Sequence, residues 1–314
     1  MDLSIIIINW NTQGLLKDCL SSIYKNPPTT SFEVIVVDNA SDDGSQQMVR
    51  RGYSRVHLIE NTENLGFAKA NNIGIEACKG DAILLLNSDT LVHGDVLDRC
   101  IDYLEQNTDV GAVGCRVLNA DNSLQHSTSQ FPCFLNLLLQ TTALDRVTAV
   151  PALQRYRMQY WKRNDTKPVD TVSGCFIMTT KTVFEKVGLL DGSFFFFGEE
   201  TDWCKRVRDN GLEVHFAPVG SITHFGGGSS KGLNHKRDLM LTQATVRLHL
   251  KHNGVFSALS VFLLLLVFNA SRAAFWTLKS AGHTNKPIEK RKRHFLNVCG
   301  SFLKAWPSKE GAIT

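Results

Sequence analysis

The chain of 314 residues is 43% hydrophobic and 20% charged, ordinary proportions for a globular protein with a real core, and long enough for one large α/β domain with an appendage. Its net charge of +4 is unevenly placed: between Lys279 and Lys304 seven basic residues face one acid, Glu289, so the remainder is slightly acidic. That distribution confines the basic character to a carboxyl-terminal tail and gives no ground for nucleic acid as a partner of the main body, and none is expected.

Residues 3–8 form an almost unbroken β-branched apolar run, the pattern of a central parallel strand, and read as the first strand of the fold rather than a signal peptide. Residues 15–24 place Leu15, Leu16, Cys19, Leu20 and Ile23 at helical spacing. A second strand over 32–37 ends in the polar stretch 38–44. A helix over 45–52, a strand over 56–60 and a helix over 67–77 follow. Residues 82–86 make a fourth strand, 96–107 a helix and 110–117 another strand. Strands and helices alternating at this spacing predict a mostly parallel sheet covered on both faces by helices, with right-handed connections.

Residues 119–168 are less regular, with a helix over 135–144. They read equally as an acceptor-side insertion and as a solvated connection. Regularity returns with a strand over 171–179, a helix over 181–187 and a helix over 198–210 that turns Trp203, Cys204 and Val207 inward. Short strands over 214–217 and 222–225 lead into a glycine loop at 226–230. The eight cysteines lack a CxxC pair and sit mostly in apolar contexts, which suits small core residues in a reducing cytoplasm.

Polar turns follow three of the strands, at 9–11, 38–42 and 87–89, and their convergence on one sheet edge points to a ligand site there. Asp89, after a buried-type strand, suits a hard cation such as Mg²⁺ or Mn²⁺ and through it a diphosphate; a surface Asx-turn is the plainer alternative. Asp38 can accept from a base imide or a ribose hydroxyl. Glu199 and Glu200 open a helix, where the macrodipole alone favours acids, but one of them facing a cleft is a candidate general base. His224, at a strand end, reads as a metal ligand or as a core imidazole.

The segments DNASDDGS, ENLGFAKANNIGI, LLLNSD, SGCFIMTTKTVFEKVGLLDGSFFFFGEETDWCKRVRDNGLEV and ITHFGGGSS occur in one order over roughly residues 3–230. Together they resemble the family 2 glycosyltransferases of the rhamnosyltransferase type. The resemblance implies an α/β GT-A fold, a nucleotide-diphosphate sugar donor, Mg²⁺ or Mn²⁺, and inversion at the anomeric carbon. By position it implies that Asp38 contacts the nucleotide base, with Asn9 and Asn71 beside that pocket. It puts Ser88 and Asp89 in the DxD motif, with Asp89 and His224 on the metal, and makes Glu200 the base. Two departures stand out: Asn87 occupies the first acidic position of the DxD motif, and Glu200 replaces the commoner aspartate.

The expected organisation is a catalytic domain over 1–250, with a donor-binding half at 1–118 and an acceptor-side half at 119–250, then a hydrophobic and basic helical tail over 251–314. Residues 253–271 carry no charge, the length of a minimal membrane span. Cytosolic donors place 1–230 inside, and a single span would then put Arg291-Lys292-Arg293 outside, against the positive-inside tendency. A second amphipathic segment runs from Phe295 to Trp306. A monotopic anchor on the anionic cytoplasmic face of the plasma membrane is the favoured reading, ahead of a span or of packing within a homo-oligomer. The expected activity is transfer of a sugar, rhamnose among the candidates, to a lipid-linked or cell-envelope glycan. The alternative is a non-catalytic nucleotide-sugar-binding scaffold subunit.

Overall fold

The structure, a computed structural model, describes residues 1–226, 234–282 and 285–307. In chain order its elements are β1 (Leu3–Asn9), α1 (Gln13–Lys25), β2 (Phe32–Asp38), α2 (Ser45–Gly52), β3 (Val56–Glu60), α3 (Phe67–Ala77), β4 (Ala82–Asn87), β5 (Thr90–Val92), α4 (Val96–Gln106) and β6 (Val110–Leu118). There follow β7 (Thr128–Ser129), α5 (Phe134–Thr141), β8 (Lys167–Pro168), β9 (Thr171–Val172), β10 (Phe176–Thr180), α6 (Lys181–Val187), α7 (Glu199–Asp209), β11 (Glu213–His224), α8 (His235–Gly282) and α9 (Lys286–Gly300). The chain divides into two compact units. The first comprises Met1–Phe131, Arg157–Gly192 and Glu199–Ser229; the second comprises Pro132–Tyr156, Ser193–Gly198 and Ser230–Thr314.

The first unit is built on a sheet whose strand order, among the described residues, is β3-β2-β1-β4-β10-β6-β11-β5, with β8 added on β11. β1, β2, β3 and β4 pair in parallel, as the near-continuous apolar runs of β1, β2 and β4 predict. The reason is burial on both faces. Ile5 and Ile7 of β1, with Leu84 and Leu86 of β4, pack into one cluster with Leu16 and Leu20 of α1 and Leu97 and Ile101 of α4. Ile6, Ile83 and Leu85 point the other way, toward Ala68, Phe184, Trp203 and Val207. Trp203 is wholly buried and its indole N–H donates to the Gly188 carbonyl at 3.0 Å, so the inward face of α7 is as its spacing predicts.

Three details differ from the sequence expectation. The sheet is mixed: β10 runs antiparallel between β4 and β6, and β5 runs antiparallel to β11. The stretch 171–179 is not one strand, because Ser173-Gly174-Cys175 turn the chain between β9 and β10. The two short strands at 214–217 and 222–225 are instead the single β11, whose register against β6 shifts between Phe216 and Ser221. Beyond Gly226 the expected glycine loop lies outside the described residues.

In the second unit α8 is interrupted at Gly254, whose φ of 80° and ψ of 176° lie where only glycine sits without strain. Two helical arms, 235–253 and 255–282, meet there, and His249 Nδ1 lies 2.8 Å from Ser257 Oγ across the bend. Leu239 and Val246 of the first arm, Ala258 and Phe262 of the second, and Val298 of α9 share one cluster with Phe302. α9 touches both arms: His294 meets Asp238 at 2.9 Å, and the Arg291 guanidinium lies 4.9 Å from the centre of the Trp276 ring. One side of the second arm is apolar and exposed, with Phe256 90% exposed and Leu263, Val267 and Leu278 exposed along its length.

Candidate active site

The sheet topology brings the polar strand ends together. Asn9 at the end of β1 lies in register with Asp38 at the end of β2, and Ile8 with Asn87 at the end of β4. β11 runs parallel to β6, and its last residue, His224, pairs across with Thr90 just after Asp89. Asn9, Asp38, Ser88, Asp89 and His224 therefore share one edge of the sheet, the edge at which open α/β sheets bind ligands.

A run of hydrogen bonds joins Asn9, Asp38 and Ser88. Asn9 Nδ2 donates to Asp38 Oδ2 at 2.7 Å and to Ser41 Oγ at 3.1 Å. The Thr12 hydroxyl donates to Asn9 Oδ1 at 2.7 Å and lies 3.0 Å from Ser88 Oγ. Asp38 Oδ1 accepts from the Ser41 backbone N–H at 2.8 Å and from Gln46 Nε2 at 2.7 Å. Asp38 is only 1% exposed, so its carboxylate first organises the turn 38–46 and offers a ligand its remaining acceptor capacity. Asn71 is also buried, and its amide donates to the Phe67 carbonyl one turn back in α3.

At the other end, His224 Nε2 lies 3.1 Å from Asp89 Oδ1 and 3.4 Å from Asn87 Nδ2. Asp89 is 8% exposed. Among the described residues no three His, Cys, Asp or Glu side chains group to hold a metal. A carboxylate oxygen and an imidazole nitrogen meeting at a sheet edge nonetheless fit a hard cation that takes its other ligands from a diphosphate and water. Asn87, where a second acid would stand, contributes an amide to the same cluster.

The two glutamates at the start of α7 separate by burial: Glu199 is buried and Glu200 is half-buried. A Cβ placed on Gly174 would lie 3.9 Å from Glu200 Cβ and 3.5 Å from the Phe67 ring, so Glu200 stands against the 173–175 turn. That turn is tied to the Asp89 end by the Asn87 N–H, which donates to the Cys175 carbonyl at 3.1 Å. Burial pushes the Cys175 thiol up to about 12, and both Asp89 and Glu200 add to the rise, which places both carboxylates within electrostatic reach of one side chain. Asp202, wholly buried, pairs with Arg206 at 2.9 Å and serves the helix itself.

The sequence did not single out Thr12 or Gln125. Thr12 links Asn9 to Ser88, the chain neighbour of Asp89. Gln125 Oε1 lies 2.7 Å from His224 Nδ1, from within the stretch that lacks regular pattern. Its only sequence signal is the turn-rich run Asn119–Ser123 that follows β6.

The fold is that of the GT-A class of glycosyltransferases. The glycosyl transferase family 2 pattern matches residues 4–188, and the chain belongs to that family. The low-salt glycan biosynthesis hexosyltransferase Agl10 of Haloferax volcanii is 28% identical over 227 residues, 71% of this chain and 67% of that one. The N-acetylglucosaminyl-diphospho-decaprenol L-rhamnosyltransferase of Mycobacterium tuberculosis is 24% identical over 202 residues, 61% of this chain and 66% of that one. The matches thus span about two thirds of the length of these relatives. Among solved structures, the mannosyltransferase PcManGT of Pyrobaculum calidifontis in complex with GDP-Man and Mn²⁺ shares the fold at a TM-score of 0.55 and 18% identity, covering 96% of this chain and 86% of that one. TarS 1–349 of S. aureus does so at 0.55 and 16%, covering 98% and 81%.

Proposed function

We propose that this glycosyltransferase moves a sugar, rhamnose among the candidates, from a nucleotide-diphosphate donor to a hydroxyl of a lipid-linked or cell-envelope glycan, with inversion. The observation that carries the reading is the meeting of Asp89 and His224 at 3.1 Å beside the turn against which Glu200 stands. Glycosyl transfer builds positive charge on the sugar and negative charge on the departing diphosphate. Asp89 and His224 would hold Mg²⁺ or Mn²⁺, which supplies a Lewis acid for the diphosphate oxygens. The Asn9–Thr12–Ser88 run positions the donor between the base end at Asp38 and the diphosphate end. Glu200 takes the acceptor hydroxyl's proton as that oxygen bonds to the anomeric carbon and the bond to the diphosphate breaks on the opposite face. One displacement inverts the centre, as an activated nucleophile on the opposite face does in hydrolysis.

The tail supports attachment to the cytoplasmic face of an anionic membrane. The second arm of α8 is long and apolar enough to cross a bilayer, with 22% of its most apolar window buried. A crossing would carry α9 with it, and so the His294–Asp238 pair and the basic run 290–293, into or past the hydrocarbon at a cost of roughly 3 kcal/mol for a central charge. Lying in the interface instead, the arm buries Phe256, Leu263 and Val267 while the bundle stays in the headgroups.

The test is a thermal-shift screen of nucleoside-diphosphate sugars with and without Mn²⁺ on the full-length chain, followed by transfer assays with the stabilising donor. Binding stabilises by mass action. Glu200→Gln is expected to keep the donor shift and to lower transfer by about 10²–10⁴-fold, and Asp89→Ala to lose both. Full transfer by either variant refutes that residue's role. A donor shift with no turnover on any acceptor would instead identify a scaffold subunit, the reading that Asn87 in the DxD motif favours.

A further inference from the structure

We infer that Gln125 is a positioning residue that fixes the tautomer of His224, keeping the proton on Nδ1 and leaving the Nε2 lone pair toward Asp89. The inference rests on the reading of His224 as a metal ligand and deepens it. It follows from a chain of donors and acceptors that fixes which way the Gln125 amide faces, and from its contact with His224 Nδ1 at 2.7 Å being closer than the 3.1 Å between Nε2 and Asp89. The Asp121 carboxylate accepts from the Ser123 hydroxyl at 2.6 Å, and hydrogen bonding by Ser123 holds its acid below the usual range. Ser123 Oγ, its proton so engaged, accepts from Asn119 Nδ2 at 2.9 Å. Asn119 therefore presents Oδ1 to Gln125, whose Nε2 donates to it at 2.8 Å and to the His224 backbone carbonyl at 3.3 Å. A backbone carbonyl accepts only, so this second bond alone fixes the orientation of the amide. Gln125 Oε1 then faces His224 Nδ1 at 2.7 Å and requires a proton there.

The imidazole is thereby held between two acceptors, Gln125 Oε1 on one nitrogen and Asp89 Oδ1 on the other. A neutral ring can satisfy only one of them. With the proton committed to Nδ1, the Nε2–Asp89 gap becomes a place for a cation bound by nitrogen and oxygen together. Metal-bound histidines characteristically donate their other ring N–H to such a partner, which fixes the ring and raises its basicity.

Two readouts other than turnover test this on the full-length chain. The first is the ¹⁵N spectrum of His224 in the metal-free protein above pH 8. The wild type is expected to show a protonated Nδ1, and Gln125→Met a shift of the proton to Nε2, drawn by Asp89. The second is Mn²⁺ binding followed by electron paramagnetic resonance in the presence of inorganic pyrophosphate. Gln125→Met is expected to bind about 10–100-fold more weakly. Gln125→Glu, which still accepts from Nδ1–H, is expected to stay within a few-fold of wild type while melting lower, since it loses the donations to Asn119 and the His224 carbonyl. An Nε2-protonated ring in the wild type, or equal Mn²⁺ affinity in Gln125→Met, overturns the inference. Unchanged affinity in His224→Ala overturns the metal reading instead, and the spectrum still decides the tautomer.

Discussion

Asp38→Asn tests whether the buried carboxylate builds the donor pocket before it touches any ligand. The substitution keeps the shape of the side chain and replaces one acceptor oxygen with a donor. Asp38 Oδ1 accepts from Ser41 N–H and Gln46 Nε2, and Oδ2 accepts from Asn9 Nδ2, all at 2.7–2.8 Å. Whichever way the new amide turns, its nitrogen faces a donor. If it faces Asn9, one charge-assisted bond is lost and a donor is buried unmet; if Asn9 rotates to answer it, the bond from Thr12 at 2.7 Å is lost instead. A hydrogen bond to a charged group contributes about 1.5–3 kcal/mol and an unsatisfied buried donor costs about 1–3 kcal/mol, so the expected loss is about 3–5 kcal/mol. For a chain of this size that lowers the midpoint of thermal unfolding by roughly 6–20 °C. Differential scanning fluorimetry of the full-length protein measures it. Nucleoside-diphosphate affinity is expected to fall in parallel, because the 38–46 turn loses its anchor. A shift under about 2 °C would refute the account of Asp38 as the organiser of that turn.

Burial pushes the thiols of Cys19, Cys100, Cys175 and Cys204 up to about 12, so native protein treated with iodoacetamide at pH 8 is expected to label at Cys78, Cys133 and Cys299 first. Mass spectrometry finding Cys175 labelled at the same rate in the native state would contradict the packing around it. His249 is 2% exposed, and burial holds its pKa below the ordinary 6.5. The unfolded chain therefore takes up this proton at higher pH than the folded one. The stability His249 contributes above pH 6.5 is lost as pH falls from there toward its folded value. Urea midpoints measured against pH should show this slope in the wild type and a shallower one in His249→Gln; equal slopes would count against it. Replacing Phe256, Leu263 and Val267 together with serine is expected to lower binding to anionic phosphatidylglycerol vesicles by at least about tenfold per side chain, at about 1.5–3 kcal/mol each. Undiminished co-sedimentation would reject the interfacial arm.

The parallel half of the sheet was legible because most of its strands are buried on both faces: 3–8, 32–37 and 82–86 are near-continuous apolar runs, and each grew by one residue, Asn9, Asp38 and Asn87, in the structure. Those added residues are polar, which is why pattern alone stopped short of them. β10 was harder. Its direction is set by a turn at Ser173-Gly174-Cys175 and by pairing with β4 some ninety residues earlier in the chain, and no local periodicity encodes either. The strand break at Phe216–Ser221 was misplaced for a related reason, since a register shift within one strand resembles two short strands. In the site, Asp89 and His224 carry chemistry that residue type announces. Gln125 does not, because a glutamine in a turn-rich stretch becomes meaningful only once the ring it faces is placed.

The antiparallel insertion of β10 between β4 and β6 also bears on how the chain is made. A ribosome releases β1 to β4 long before β10 exists, and β4 is apolar from Ala82 to Leu86. Until residues 176–180 arrive, one side of β4 offers unpaired backbone on a greasy strand, the template on which chains stick to one another. Residues 1–118 are therefore not expected to form a separable module. A fragment ending at 118 is expected to aggregate during synthesis, and expression of this enzyme will depend on how quickly translation crosses the long stretch between β6 and β10.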